Sequence, residues 1–160
     1  MSVVAWRIAS DTRDWAADDL TGAGAEATGG RWNAPGQPVV YASMSRALAC
    51  LETVVHLNAA GLPLNRYLVE LTIPEALWRA ARRETPDSLP VGWDAEPASA
   101  TSIRFGGDWL AGGAGALLLV PSVVVPEEWN LLLNPRHAGA AGMRARKVRK
   151  WLYDPRLRRA

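Results

Sequence analysis

Proline and its neighbouring turn residues cut this chain into short apolar runs, and that punctuation limits the architectures open to it. Pro38 precedes Val39-Val40-Tyr41-Ala42, Pro74 stops the alternating run Tyr67–Ile73, Pro121-Ser122 divides Leu117–Val120 from Val123–Val125, and Asn134-Pro135 follows Trp129–Leu133. Short runs bounded in this way read as strands, because proline cannot donate to a hydrogen-bonded ladder. Val3–Ile8 reads as a first strand, and Ser10–Gly30 as a polar connection with room for one helical turn.

Helical periodicity is confined to a few places. Ser43 or Ser45 can cap a helix in which Ala47, Leu48, Leu51, Val54 and Val55 recur at spacings of three and four, ending near Asn58 and Gly61. Glu75–Arg83 reads as a short helix, Ser99–Ala111 as a second one containing Trp109, and Ala140–Leu152 as a final helix or strand. Pro86–Ser102 is irregular, and Val123–Val125 is expected to be a strand ending at Pro126. Strands and helices thus mix without regular βαβ alternation. The expected class is α+β, a small mainly antiparallel sheet core with flanking helices. At 160 residues and 49% hydrophobic content, one domain spanning residues 1–160 can bury its own core.

The net charge of +2 hides an asymmetry. Between Arg144 and Ala160 there are eight basic residues and one acid, whereas the other 143 carry ten basic and fifteen acidic groups. Such a tail can meet an acidic partner or nucleic acid, or simply be solvated. The one cysteine, Cys50, forms no internal disulfide and suits a reducing compartment. No stretch approaches the roughly 18 to 20 apolar residues of a membrane span, so a soluble cytoplasmic chain is expected. Most of the eight tryptophans should be core, with Trp32 the one expected to flank a pocket.

Four polar residues stand in apolar or turn-rich surroundings. Arg31 follows Gly29-Gly30, where a backbone nest and a guanidinium could converge on an anion; it could equally be a turn arginine in solvent. Glu52 lies about 40° from Leu48 and about 60° from Val55 on a helical wheel, at the edge of the apolar stripe. A carboxylate there is kept either for function or for a structural ion pair, with Arg31 as one candidate partner. Tyr41 could line a cleft or be core with a satisfied hydroxyl. Ser122 breaks an apolar run, as a bulge residue or as a hydroxyl reaching a ligand. His56 and His137 lack the spacing of a metal site, and Ser122 lacks a nucleophile elbow, so neither a metal enzyme nor an esterase is expected.

In combination, Trp6-Arg7-Ile8, Gly30-Arg31-Trp32-Asn33 with Pro35-Gly36, Val40-Tyr41-Ala42-Ser43, Leu51-Glu52 through His56-Leu57, Leu89-Pro90 with Gly92-Trp93, and Val120-Pro121-Ser122 through Asn130 and Leu133-Asn134-Pro135 resemble the RES-domain toxin family. The resemblance runs from Trp6 to the closing Tyr153-Asp154-Pro155-Arg156-Leu157. It implies the toxin of a bacterial type II toxin-antitoxin pair, a fold similar to ADP-ribosyltransferase toxins, and NAD as substrate. Members degrade NAD with water or phosphate, or transfer its ADP-ribose to a protein. The name-giving catalytic positions fall on Arg31, Glu52 and Ser122, and Arg7, Tyr41, Arg31 and Ser122 match pocket residues that bind NAD. The implied partner is an antitoxin with a DNA-binding Xre-like region covering the cleft, with no direct DNA contact from the toxin and no metal.

The residue types suit that chemistry on their own terms. Breaking the nicotinamide-ribose bond develops positive charge at the ribose, which a carboxylate such as Glu52 can stabilise. Arg31, with Arg7, could hold the pyrophosphate, Tyr41 stack on nicotinamide or ribose, and Ser122 bond the ligand and orient Glu52. ADP-ribosyltransferases often carry a second glutamate two residues before the catalytic one; here that position is Cys50. Two other classes remain open on the residues alone: a nucleic-acid-binding or RNA-cleaving toxin using the basic segment 144–160, and an interaction domain in which Arg31 and Glu52 are a structural pair.

Overall fold

In the computed structural model, which describes residues 1–57 and 61–157, the chain runs β1 (Ser2–Ser10), α1 (Ala23–Thr28), β2 (Val40–Ser43), α2 (Arg46–Val54), β3 (Arg66–Pro74), α3 (Glu75–Ala80), β4 (Arg82–Arg83), α4 (Ala100–Gly112), β5 (Leu117–Pro121), β6 (Trp129–Leu133) and β7 (Arg144–Lys150). Short 3₁₀ turns occupy Ala138–Gly142 and Pro155–Leu157. The strands form one sheet in the order β4-β5-β6-β2-β1-β3-β7. Every neighbouring pair is antiparallel except β4 with β5. The α+β expectation is met.

The punctuation seen in the sequence does its work at strand ends. Pro74 closes β3, Pro121 closes β5, and Ser45 caps α2 by accepting from Leu48 N at 3.0 Å. Ser99 caps α4 in the same way through Thr101 N. Side-chain alternation then sorts the strands onto two faces. In β5, Leu117 and Leu119 join one cluster with Val69, Leu71, Ile73 and Leu131, against which Leu77 and Trp78 of α3 pack. Leu118 and Val120 point the other way and meet Trp32, Trp93 and Trp109.

That second face is covered in two separate pieces. Over the β5–β6 half lie Phe105, Trp109 and Leu110 of α4. Over the β1–β3 half lie Ala49 and Val54 of α2, packed on Trp6, Ile8 and Leu68. The seam between them falls between β1 and β2. These two strands share a single register pair, Trp6↔Ser43, whereas β1 and β3 are paired from Ser2↔Pro74 to Ser10↔Arg66. Beyond Trp6 the two strands part, and the sheet forks.

Some elements differ from expectation. The run Glu75–Arg83 is not one helix: it ends at Ala80, Ala81 is extended, and Arg82-Arg83 pair with Leu118 and Leu119. Arg83 contributes by donating to the carbonyls of Trp78 and Ala81 at the helix end, the first of which also accepts from Ala81 N. Val123–Val125 is not a strand, because Ser122 Oγ accepts from both Val124 N and Val125 N at 3.1 Å and turns the chain. Ala140–Leu152 divides into the end of a 3₁₀ turn and the edge strand β7. Helix α2 stops at Val54; Asn58, where its end was expected, lies outside the described residues, as do Arg158 and Arg159 of the basic segment. No helix among the described residues is long and apolar enough to cross a membrane.

Candidate active site

A cavity of about 510 Å³ fills the fork. Its walls continue both strands from the point where they part: Arg7, Ile8, Ala9 and Ser10 on β1, and Tyr41 with Ala42 on β2. Such a volume suits a small-molecule ligand. Helix α2 supplies Ala49, Glu52 and Thr53 to one wall, with His56 just past its end, and the loop from Gly29 to Trp32 supplies another.

Glu52 reaches the cavity because α2 presents its apolar stripe with a slight rotation from the one expected. Leu48 and Ala49 are buried, while Ala47 and Val55 are exposed. The turn carrying Glu52 and Thr53 is thereby aimed at the seam. The carboxylate is not paired with Arg31. Its Oε1 accepts from Ser122 Oγ at 2.5 Å and from Asn130 Nδ2 at 2.8 Å. Ser43 Oγ in turn donates to Asn130 Oδ1 at 2.6 Å. One carboxylate oxygen is thus held by two donors, and among the described residues Oε2 has no hydrogen-bond partner. Cys50, two residues before Glu52, packs with Trp151 on the far side of α2, as a 200° step on a helix requires. Burial pushes its thiol pKa up.

Ser122 differs from its expected placement in one respect. It is fully buried and does not line the cavity, so its hydroxyl serves Glu52 and the turn rather than open space.

Arg31 lines the cavity, but its guanidinium is largely engaged. Nη1 donates to the carbonyls of Trp93 and Ala95 at 3.2 and 2.8 Å, and Nη2 pairs with the exposed Glu96 at 2.8 Å. Those contacts bind the loop after Trp93 to the Gly29-Gly30 turn. Trp32, stacked on Trp93 at 6.3 Å, is buried and walls the cavity as expected.

Arg7 has the opposite character. Its guanidinium borders the cavity and has no ion-pair partner among the described residues. Burial pushes its pKa down, with the more distant charge of Asp19 acting the other way. Arg66, from β3, also lines the cavity, and its Nε is buried without a partner. A half-buried guanidinium without an anionic partner is costly unless something anionic visits it.

Tyr41 offers its ring to the cavity while its hydroxyl is fully used. Oη donates to Asn33 Oδ1 at 2.6 Å and accepts from Trp32 N at 3.0 Å. Burial raises its pKa well above the ordinary value. Asn33 is anchored by three backbone carbonyls, those of Ala25, Ala34 and Gln37. A Cβ at Gly30 would crowd this pair, standing 3.0 Å from both Tyr41 Oη and Asn33 Oδ1.

Of the five residues expected at the site, four border the cavity and Ser122 stands directly behind one of them. Asn130, Ser43, Arg66 and Thr53 were not singled out. Asn130 and Ser43 read in sequence as polar positions on strands, and only the β2–β6 pairing Ser43↔Asn130 brings them together. His56 lines the cavity, whereas His137 caps a turn by accepting from Gly139 N. Among the described residues no group of three or more His, Cys, Asp or Glu side chains converges.

Comparison with known proteins adds an independent line. The RES domain family model matches residues 4–155. A protein named Prs ADP-ribosylating toxin from Sphingobium sp. (strain YBL2) is 64% identical over 157 residues, covering 98% of each chain. A Toxin Res from Yersinia enterocolitica is 37% identical, over 91% of this chain and 95% of that one. Another Toxin Res, from Pseudomonas putida, is 34% identical, over 97% and 99% respectively.

Proposed function

This chain belongs to the RES-domain family, and on that premise we propose that it is a toxin enzyme that binds NAD in the fork between β1 and β2 and transfers its ADP-ribose to a protein. The observation that carries the reading is the pairing, within one cavity, of a carboxylate, one of its oxygens pinned, with the Arg7 guanidinium and Arg66 Nε, which have no partner among the described residues.

In this reading Glu52 Oε2 faces the ribose next to nicotinamide. As the C1′–N bond breaks, its electron pair leaves with nicotinamide, which becomes neutral, and the ribose acquires oxocarbenium character. Glu52 stabilises that charge and holds a ribose hydroxyl. The acceptor nucleophile then bonds to C1′ and releases a proton. Nicotinamide is already a competent leaving group, so the reaction calls for no metal. Arg7 holds the pyrophosphate in the fork. Arg31 adds positive potential and secures the loop after Trp93; its ion pair with exposed Glu96 is the contact a phosphate oxygen can replace. Tyr41 presents its ring to nicotinamide or ribose, since its hydroxyl is committed to Asn33 and Trp32. Ser122 positions Glu52.

The 64% identical relative is named for ADP-ribosylating Prs, so Prs is the first acceptor to test. With Cys50 where many ADP-ribosyltransferases carry a second glutamate, transfer to an acceptor other than arginine is favoured. The proposed partner that restrains the toxin is an antitoxin, with an Xre-like DNA-binding region, that covers the fork. The reaction is assigned to the cytoplasm.

The test uses the purified chain, free of antitoxin, with NAD labelled in its adenylate portion, alone, with phosphate, and with cell lysate or purified Prs. Label on a protein is the expected result. Soluble ADP-ribose or its phosphate as the main product would move the assignment to NAD degradation. NAD left intact throughout, with a Glu52→Ala control behaving identically, would refute it.

A further inference from the structure

Asn130 stands at the cavity wall with no role assigned to it by the proposed reaction, yet it is the second donor to the carboxylate on which that reaction depends. Its amide has only one satisfactory orientation. Ser43 Oγ, on the paired strand, donates to Oδ1 at 2.6 Å, which turns Nδ2 toward Glu52 Oε1 at 2.8 Å. Reversing the amide would set a carbonyl oxygen against a carboxylate and leave the serine donor facing an NH₂ group. Ser43 itself is almost wholly buried, and it sits at the last register pair before the fork opens, opposite Trp6.

We propose that Ser43 and Asn130 are positioning residues for Glu52: the Ser43–Asn130–Glu52 chain, together with Ser122, clamps Oε1 so that only Oε2 is presented to the substrate. The inference rests on the reading of Glu52 given above. The two donors reach the same oxygen from different elements, Asn130 from β6 and Ser122 from the turn after β5. A second donor to the same oxygen deepens the restraint on rotation of the carboxylate about its last bond. The fork and the clamp share a cause, because the same pair that ends β1–β2 contact also anchors the asparagine.

This arrangement separates positioning from binding. A residue that touches NAD directly should alter KM when removed, whereas one acting through Glu52 should lower kcat and leave KM alone. The experiment measures nicotinamide release against NAD concentration for the wild type, Asn130→Asp, Asn130→Ala, Ser43→Ala and Glu52→Gln, with a melting curve for each. Asn130→Asp is nearly isosteric and keeps the acceptor for Ser43 while replacing the donor with a second carboxylate. Its kcat should fall about 100-fold, that of Asn130→Ala about tenfold and that of Ser43→Ala about threefold, with KM within about twofold in all of them.

A wild-type kcat in Asn130→Asp, or a raised KM with unchanged kcat in Asn130→Ala, overturns the proposal for Asn130 while leaving the reading of Glu52 intact. If Asn130→Asp does not fold, Ser43→Ala decides, since an unchanged kcat there removes the chain's first link. Wild-type protein that releases no nicotinamide, or Glu52→Gln that releases it normally, overturns the underlying reading and the positioning role with it.

Discussion

Replacing Ser122 with alanine removes a hydroxyl that lies outside the cavity, and so tests whether activity depends on how Glu52 is held. The side chain is fully buried and its Oγ makes three contacts: it donates to Glu52 Oε1 at 2.5 Å and accepts from Val124 N and Val125 N at 3.1 Å. A hydrogen bond to a charged group contributes about 1.5–3 kcal/mol. Lost in the transition state, that corresponds to a kcat lowered about 10- to 100-fold. The two amides left without an acceptor should cost a further 1–3 kcal/mol or so of stability, lowering the melting temperature by several degrees for a chain of this size. KM for NAD should stay within about twofold, because nothing that lines the cavity has been removed. Steady-state nicotinamide release and a thermal melt measure both quantities. A KM raised tenfold with kcat unchanged would show that Ser122 meets the ligand after all, and the geometric argument for its role would be wrong.

Arg7→Gln should raise KM for NAD by roughly 10- to 100-fold, with little change in kcat, if its unpaired guanidinium meets the pyrophosphate; saturation kinetics check this. Arg31→Ala should open the loop after Trp93 to limited proteolysis as well as weaken NAD binding, because three of its contacts hold that loop. Tyr41→Phe leaves Asn33 Oδ1 and Trp32 N without their partner and should cost about 1–3 kcal/mol in a denaturant titration. Burial raises the Tyr41 pKa, so the stability this phenol contributes is complete below its unfolded value near 10 and is lost as pH rises from there through the higher folded value. Near pH 11 or so, wild type and Tyr41→Phe should therefore show the same phenolate absorbance while folded. Gly106→Ala should disrupt the docking of α4, since a Cβ there would stand 1.9 Å from Trp32 O; a melt lowered by no more than a degree or two would contradict it.

The sequence was most legible where local chemistry decides the outcome. Pro38, Pro74 and Asn134-Pro135 bound real strands, and Ser45 is a real cap, because each acts within a few residues of itself. Strand β4 was not legible. Two arginines have no strand signature, and they become one only by lying against Leu118 and Leu119. The basic run in β7 is similar: its charges describe a solvated surface, and its edge position in the sheet explains why they are tolerated. Within the site, Glu52 was visible as a carboxylate at the margin of an apolar stripe. Its partners were not, since Asn130 is 78 residues away and reaches it only through the sheet. Ser122 is legible as a break in a strand, but a turn dipeptide carries no sign of its burial. Arg31 stands out for its two glycines, and its engagement with a loop more than 60 residues on is a tertiary fact.

The most direct measurement compares nicotinamide release by the wild type and by Glu52→Gln, with NAD binding followed in parallel through the fluorescence of the tryptophans in the cavity wall, Trp6, Trp15 and Trp32. The amide can still accept from Ser122 and Asn130, so the cavity should persist and NAD should bind within a fewfold of wild type. Release should fall by at least about a hundredfold, because an uncharged NH₂ group then stands where the free carboxylate oxygen stood. If Glu52→Gln binds NAD and still releases nicotinamide at a rate near that of the wild type, the carboxylate in the fork is not what breaks the bond.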